Sequence, residues 1–97
     1  MFQIEFTPQA VDDLQPFRRF DQQRILAEIE GQLTSQATNE TRHRKRLRPN
    51  RLAEWELRVG DFRIFYGVDG ESMVVKVVAV GIKHGDKLFL HGEEYEL

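Results

Sequence analysis

The run WELRVGDFRIFY, Trp55 to Tyr66, alternates apolar and polar side chains on both sides of a Gly60-Asp61 pair. A period of two predicts two half-buried strands, and the Gly-Asp pair between them predicts a two-residue hairpin loop. A turn at that point fixes the register. Trp55 then faces Tyr66, Leu57 faces Ile64 and Val59 faces Phe62, all on one side, which is the predicted core face. The other side carries Arg58 opposite Arg63 and Glu56 opposite Phe65.

Upstream of this hairpin lies a basic run from Arg42 to Arg51, read as a loop, and before it a polar stretch, Thr34 to Glu40, also read as loop because it has no apolar periodicity. Earlier still, Phe2, Ile4 and Phe6 alternate with polar neighbours and predict a first strand. Thr7-Pro8 is a helix entry: a hydroxyl that caps, then a proline suited to the first helical position. Pro16 ends that helix near Leu14 or Gln15. Asp21 is the expected cap of a second helix, with Ile25, Leu26, Ile29 and Leu33 as its apolar stripe. Downstream, Asp69 to Ser72 is a turn, and Met73 to Ile82 (MVVKVVAVGI) is apolar and β-branched enough for a central strand antiparallel to the one before it. A short piece from Leu88 to Leu90 extends the sheet, and acidic residues close the sequence. The predicted class is α+β, in the order βααβββ, with a helical hairpin on one face of an antiparallel sheet.

The chain has 97 residues, 40% hydrophobic and 31% charged, which is one core's worth, so residues 1–97 are read as a single domain. It contains no Cys, which excludes disulfides, thiolate metal sites and a thiol nucleophile. Met1 to Thr7 does not read as a signal peptide, and no apolar run has the length of a membrane span, so the expected location is the cytoplasm and no membrane partner is expected. Net charge is only -2. The charge is segregated, however: from Arg42 to Arg63 there are eight basic and three acidic residues, a local +5. A polyanion responds to that local patch, because charges beyond about 10 Å are screened at roughly 0.1 M salt.

Like charges directly opposite in a hairpin are destabilising, so the Arg58-Arg63 pair needs a compensating feature. Two readings stand: Glu56 neutralises a solvent-exposed pair, or the two arginines form a fork for a phosphate, which their planar donors fit. The basic run, through Arg44, Lys45, Arg46 and Arg48, would add positive potential for nucleic acid. Phe65 is either a base-stacking residue or a side chain covered by the C-terminal segment. Lys83 and His84 end the central strand, and His has the unperturbed pKa best suited to proton transfer near neutrality. The three His carry no supporting carboxylate spacing for a metal, so neither metal nor cofactor is expected.

The order strand, helical hairpin, basic run, WELRVGDFRIFY and then an apolar strand ending VAVGIKH (Val78 to His84) resembles the RelE/ParE superfamily of toxins from toxin-antitoxin systems. The resemblance spans nearly the whole chain. Its most specific part is the pattern L-R-x-G-D-[FY]-R-[IV]-x-Y, satisfied by Leu57 to Tyr66, with Gly81 and a following basic residue in support. The superfamily includes ribosome-dependent mRNA endonucleases and also gyrase poisons without nuclease chemistry. The resemblance therefore implies a cognate antitoxin as partner, with mRNA and ribosome as targets in the first case and DNA gyrase in the alternative. A degenerate, purely RNA-binding member is a further alternative.

In the RelE-like nucleases an arginine at the position of Arg63 binds the reacting phosphate, and a basic residue after the strand glycine matches Lys83. These enzymes drive the ribose 2′-hydroxyl onto the adjacent phosphate, which needs a base, an acid and cations for the developing charge. Two lysines of RelE itself correspond here to Glu54 and Glu56, and its C-terminal tyrosine to Phe89. Related nucleases use a glutamate base with histidine, which implies Glu56 and His84 in those roles, with Tyr95 as a further possible donor.

Overall fold

The computed structural model describes residues 1–97, and its elements follow the order β1 (Gln3–Phe6), α1 (Pro8–Leu14), α2 (Arg19–Gln36), β2 (Arg44–Arg46), β3 (Trp55–Val59), β4 (Phe62–Asp69), β5 (Val74–His84), β6 (Lys87–Leu90) and β7 (Glu93–Tyr95). All seven strands form one sheet in the order β2-β3-β4-β5-β6-β7, with β1 paired to β5. The α+β class and the helical hairpin on one sheet face are as expected. The β3–β4 register is also as expected, with Trp55 opposite Tyr66, Leu57 opposite Ile64 and Arg58 opposite Arg63. Gly60, at φ +57, supplies the left-handed residue that a two-residue loop needs at its first position.

Thr7 caps α1 by accepting from the Ala10 N–H at 3.1 Å, and Pro8 follows at the first helical position. The second helix departs from expectation at both ends. It begins at Arg19, placing Asp21 inside the first turn, where a carboxylate favours the positive end of the helix dipole. It runs on through Thr34 to Gln36 because the buried stripe Ile25, Ile29, Leu33 and Ala37 continues at four-residue spacing. Thr34 is held inside the helix by its hydroxyl bond to the Glu30 carbonyl at 2.9 Å.

Four features of the sheet also differ from the sequence reading. The basic run is not all loop, since Arg44–Arg46 pairs antiparallel with β3 as an edge strand. Strand β1 runs parallel to β5, the one parallel pairing in the sheet. Met73 lies outside β5, at φ +56, and ends the turn. The acidic stretch forms β7, antiparallel to β6.

The main core lies between the helices and the sheet, where Ile25, Ile29 and Leu33 meet Leu57, Ile64, Tyr66 and Val77. Trp55 stacks on Tyr66 with ring centroids 6.1 Å apart. A smaller cluster of Phe65, Ala79, Leu88 and Leu90 lies on the opposite face, with Leu47, Leu52 and Tyr95 packed against it. Phe65 is fully buried there, so of its two readings the covered one holds. The helix-free face is therefore a trough, roofed at one side by the loop after β2 and at the other by β6 and β7.

Candidate functional site

Strand alternation sends Glu56, Arg58 and Arg63 to the floor of this trough. Lys45 shares the face, because it pairs with Glu56. Glu56 is buried, and its Oε2 accepts from the Arg58 Nε at 2.9 Å while its Oε1 stands 4.0 Å from the Arg63 Nε. One carboxylate thus separates two opposed guanidiniums and offsets the repulsion that the register imposes.

The two arginines differ in freedom. Arg58 keeps 44% of its side chain exposed, whereas Arg63 keeps 14%. The Arg63 Nη1 donates to the Gly60 and Phe62 carbonyls at 2.8 and 2.9 Å, which folds the side chain back over its own turn. Burial lowers the Arg63 pKa, Glu56 counteracts this, Arg58 lowers it further and Asp61 raises it. A guanidinium stays charged under these influences.

Arg63 pairs with Gly81 in β5. A Cβ on Gly81 would lie 2.5 Å from Leu90 Cδ2 and 2.6 Å from the Phe89 carbonyl oxygen, so β6 can approach β5 here only because the residue is glycine. Two residues on, Lys83 returns to the trough. Glu56 and Lys83 line one concavity of about 490 Å³ together with Glu94, Tyr95 and Glu96. A second concavity of about 710 Å³ is lined by Glu56, Arg58, Arg48 and Asn50.

Three of the sequence-derived candidates stand elsewhere. His84 is on the opposite face of β5 from Lys83, its ring edge-on to Phe89 at 5.4 Å, because successive strand residues point to opposite sides. Arg44 is buried and turned toward α2. Its guanidinium donates to the Asn39 carbonyl at 3.0 Å, the Gln32 Oε1 at 2.6 Å and the Gln36 Oε1 at 2.9 Å, and its burial against the helix keeps it from a phosphate in the trough. Arg46 is exposed and lies over the Trp55 ring at 5.6 Å, a cation–π distance. The trough thus gathers Lys45, Arg48, Glu56, Arg58, Arg63 and Lys83.

The sequence reading missed a second polar node, Asp13 with His91. The Asp13 side chain is 2% exposed and receives the His91 Nδ1 at 2.6 Å. Its only sequence signal is a carboxylate at the helical position between Ala10 and Phe17, on the face of α1 that carries Leu14. No three His, Cys, Asp or Glu side chains converge on a metal-sized site anywhere in the chain. No helix is long and apolar enough to cross a membrane.

A family model described as the ParE toxin of the type II toxin-antitoxin system parDE matches residues 4–86. No curated sequence matches the chain. Among solved structures, the chain is similar to the RelBE2 toxin-antitoxin complex of Mycobacterium tuberculosis, with TM-score 0.68 and 23% identity over 84% of this chain and 98% of that one. It is also similar to the archaeal RelE-RelB complex of Pyrococcus horikoshii, with TM-score 0.66 and 20% identity over 81% and 91% of the two chains. The YoeB dimer of Staphylococcus aureus gives TM-score 0.61 and 22% identity over 87% and 98%. At these identities the likeness to the solved structures is one of fold.

Proposed function

This chain belongs to the ParE toxin family of type II toxin-antitoxin systems, and we propose that it acts on RNA, as an mRNA endonuclease of the RelE kind working in the cytoplasm and held inactive by a cognate antitoxin. The observation that carries this reading is the buried Glu56 carboxylate set between two arginines at the floor of a trough walled by Arg48. Such a carboxylate takes a proton from a ribose 2′-hydroxyl. The oxygen then forms a bond to the adjacent phosphorus, and the bond from phosphorus to the 5′-oxygen breaks, leaving a 2′,3′-cyclic phosphate. Arg58 and Arg63 stand where charge builds on the phosphoryl oxygens, and Lys83 adds a third cation. The departing 5′-oxygen takes its proton from water in the open trough. Lys45 and Arg48 position the RNA backbone, a task that needs charge rather than base recognition. The mRNA on a ribosome is the substrate this reading implies.

One observation favours a second reading, a gyrase-directed toxin without nuclease chemistry: the matching family model is that of ParE. The RelE lysines on the Trp55 strand are moreover Glu54 and Glu56 here, and Glu54 is occupied in receiving the Val68 N–H at 3.2 Å. Translation in a cell-free system with purified protein, with mRNA ends mapped by primer extension, separates the two. New ends within the reading frame that vanish with Arg63→Ala support the nuclease. Intact mRNA at toxic protein concentrations, with DNA supercoiling inhibited instead, supports the gyrase reading.

A further inference from the structure

We propose that the segment Glu93–Leu97 is an acidic cover over the Lys83 end of the cationic trough, fastened at its hinge by Asp13 and His91, so that a nucleic acid must displace it to reach Lys83 and Glu56. The inference rests on the reading of the trough as a phosphate-binding surface.

The hinge follows from the topology. The edge of β5 that faces away from β4 is shared by two strands: β1 takes Val74 to Val77 and β6 takes Gly81 to His84. Residues Val78 to Val80 fall between them, with backbone groups that neither strand serves. Helix α1 closes this gap. The Thr7 hydroxyl donates to the Val78 carbonyl at 3.1 Å, and Asp13 Oδ2 receives the Val80 N–H at 3.0 Å. Asp13 Oδ1 takes the Gln9 amide at 2.9 Å and reaches His91 Nδ1 at 2.6 Å. A buried carboxylate thus ties the first helix to the turn between β6 and β7.

That turn is sharply reversed. His91 has φ +55 and Gly92 has φ +80, consecutive left-handed residues, and the first of them is an unfavourable conformation for a side chain other than glycine. The Asp13 contact offsets that cost and holds the reversal. The reversal in turn sends the next residues back over the trough. Glu94, Tyr95 and Glu96 line the concavity that contains Glu56 and Lys83, and Leu97 lines the neighbouring one with Arg48 and Arg58.

The rest of the cover is loosely held. Strand β7 has three residues, and the Lys87–Glu94 pair, at 3.9 Å with both side chains about half exposed, adds little. Glu94 and Glu96 bring two carboxylates to the concavity that holds Lys83, where a polyanion would enter, and like charge there opposes phosphate. The arrangement is an internal competitor, weakly paired along its length and anchored at one end.

The test is anisotropy titration of a labelled single-stranded RNA oligonucleotide at constant salt. The variant Glu93→Gln, Glu94→Gln, Glu96→Gln should bind about tenfold more tightly than wild type. The control Glu5→Gln, Glu30→Gln, Glu71→Gln, with the same change in net charge on the first strand, the second helix and the β4–β5 turn, should gain less than threefold. Equal gains would reduce the effect to bulk charge and overturn the cover. His91→Ala should likewise bind more tightly. Amide hydrogen exchange in wild type gives an independent readout: RNA should accelerate exchange at Glu93 to Tyr95, and slower exchange there would overturn the proposal even if His91→Ala failed to fold. RNA binding by wild type with no gain in the acidic-to-amide variant removes the cover alone. Absence of binding by both proteins removes the phosphate-binding reading and the cover with it.

Discussion

Arg58 and Arg63 stand directly opposite each other across the β3–β4 hairpin, yet they share the Glu56 carboxylate unequally, Arg58 at hydrogen-bond distance and Arg63 at 4.0 Å. Arg58 is thereby pinned at its Nε but open to solvent along its outer donors, while Arg63 is pinned at its Nη1 by the turn carbonyls. The pair presents two fixed cations a strand apart.

Arg63→Ala should abolish growth inhibition upon expression. Because the side chain is largely buried and makes two carbonyl bonds, the substitution should also cost roughly 1 kcal/mol in stability, unlike the negligible cost expected of an exposed arginine. Arg63→Lys should restore part of the stability and little of the toxicity, since a lysine lacks the planar fork. Growth curves alongside urea denaturation check both. Full toxicity in soluble Arg63→Ala protein would remove this residue from the site.

Trp55→Ala should cost about 3 to 5 kcal/mol, as truncation of a large core aromatic, here one stacked on Tyr66. Tyr66→Phe isolates a smaller effect. The Tyr66 hydroxyl donates to the Ala37 carbonyl at 2.7 Å, and burial pushes its phenol pKa well above the ordinary value. Losing that bond leaves a buried carbonyl at the end of α2 without its donor, which should cost roughly 1 to 2 kcal/mol. Denaturation of the two variants should rank Trp55→Ala well above Tyr66→Phe.

The hairpin was legible because a two-residue loop leaves no freedom of register: once Gly60-Asp61 is the turn, the faces of Trp55, Glu56, Arg58 and Arg63 follow. Arg44 was not legible, since its burial depends on glutamines at positions 32 and 36 of a helix whose end the polar residues Thr34, Ser35 and Gln36 disguise. The placement of His84 needed the pairing of β5 with β6, which sets Lys83 on the trough side and its neighbour on the other. Asp13 and His91 meet across 78 positions, a contact that no local pattern announces.

Asp69 gives the β4–β5 turn a pH dependence of known sign. Hydrogen bonding from Ser72, and from the Glu71 N–H, holds its carboxyl below the ordinary aspartate value. A depressed folded-state pKa contributes stability above the unfolded value of about 3.9, and that contribution is lost as pH falls through the folded value. Asp69→Asn should therefore be less stable than wild type at neutral pH, and the gap should narrow on acidification below about pH 4. Thermal melts of both proteins across that range check it, and a gap that widened toward acid would reverse the assignment.

Glu56 is where binding and chemistry part. If its carboxylate takes the 2′-hydroxyl proton, Glu56→Gln should lower RNA cleavage by about 10²-fold or more, the usual scale of general-base assistance. Removing a negative charge from between two arginines should at the same time leave RNA binding intact or tighten it. The substitution also takes from Arg58 and Arg63 their shared counter-charge, so the folded state should lose roughly 1 to 3 kcal/mol. Cleavage must then be compared under conditions where the variant stays folded, with circular dichroism as the check. A ParE-like binder has no cleavage to lose, and its Glu56→Gln form should keep its toxicity. A folded Glu56→Gln protein that cleaves RNA at the wild-type rate would assign the carboxylate to charge balance alone, leaving the two arginines as the working part of the site.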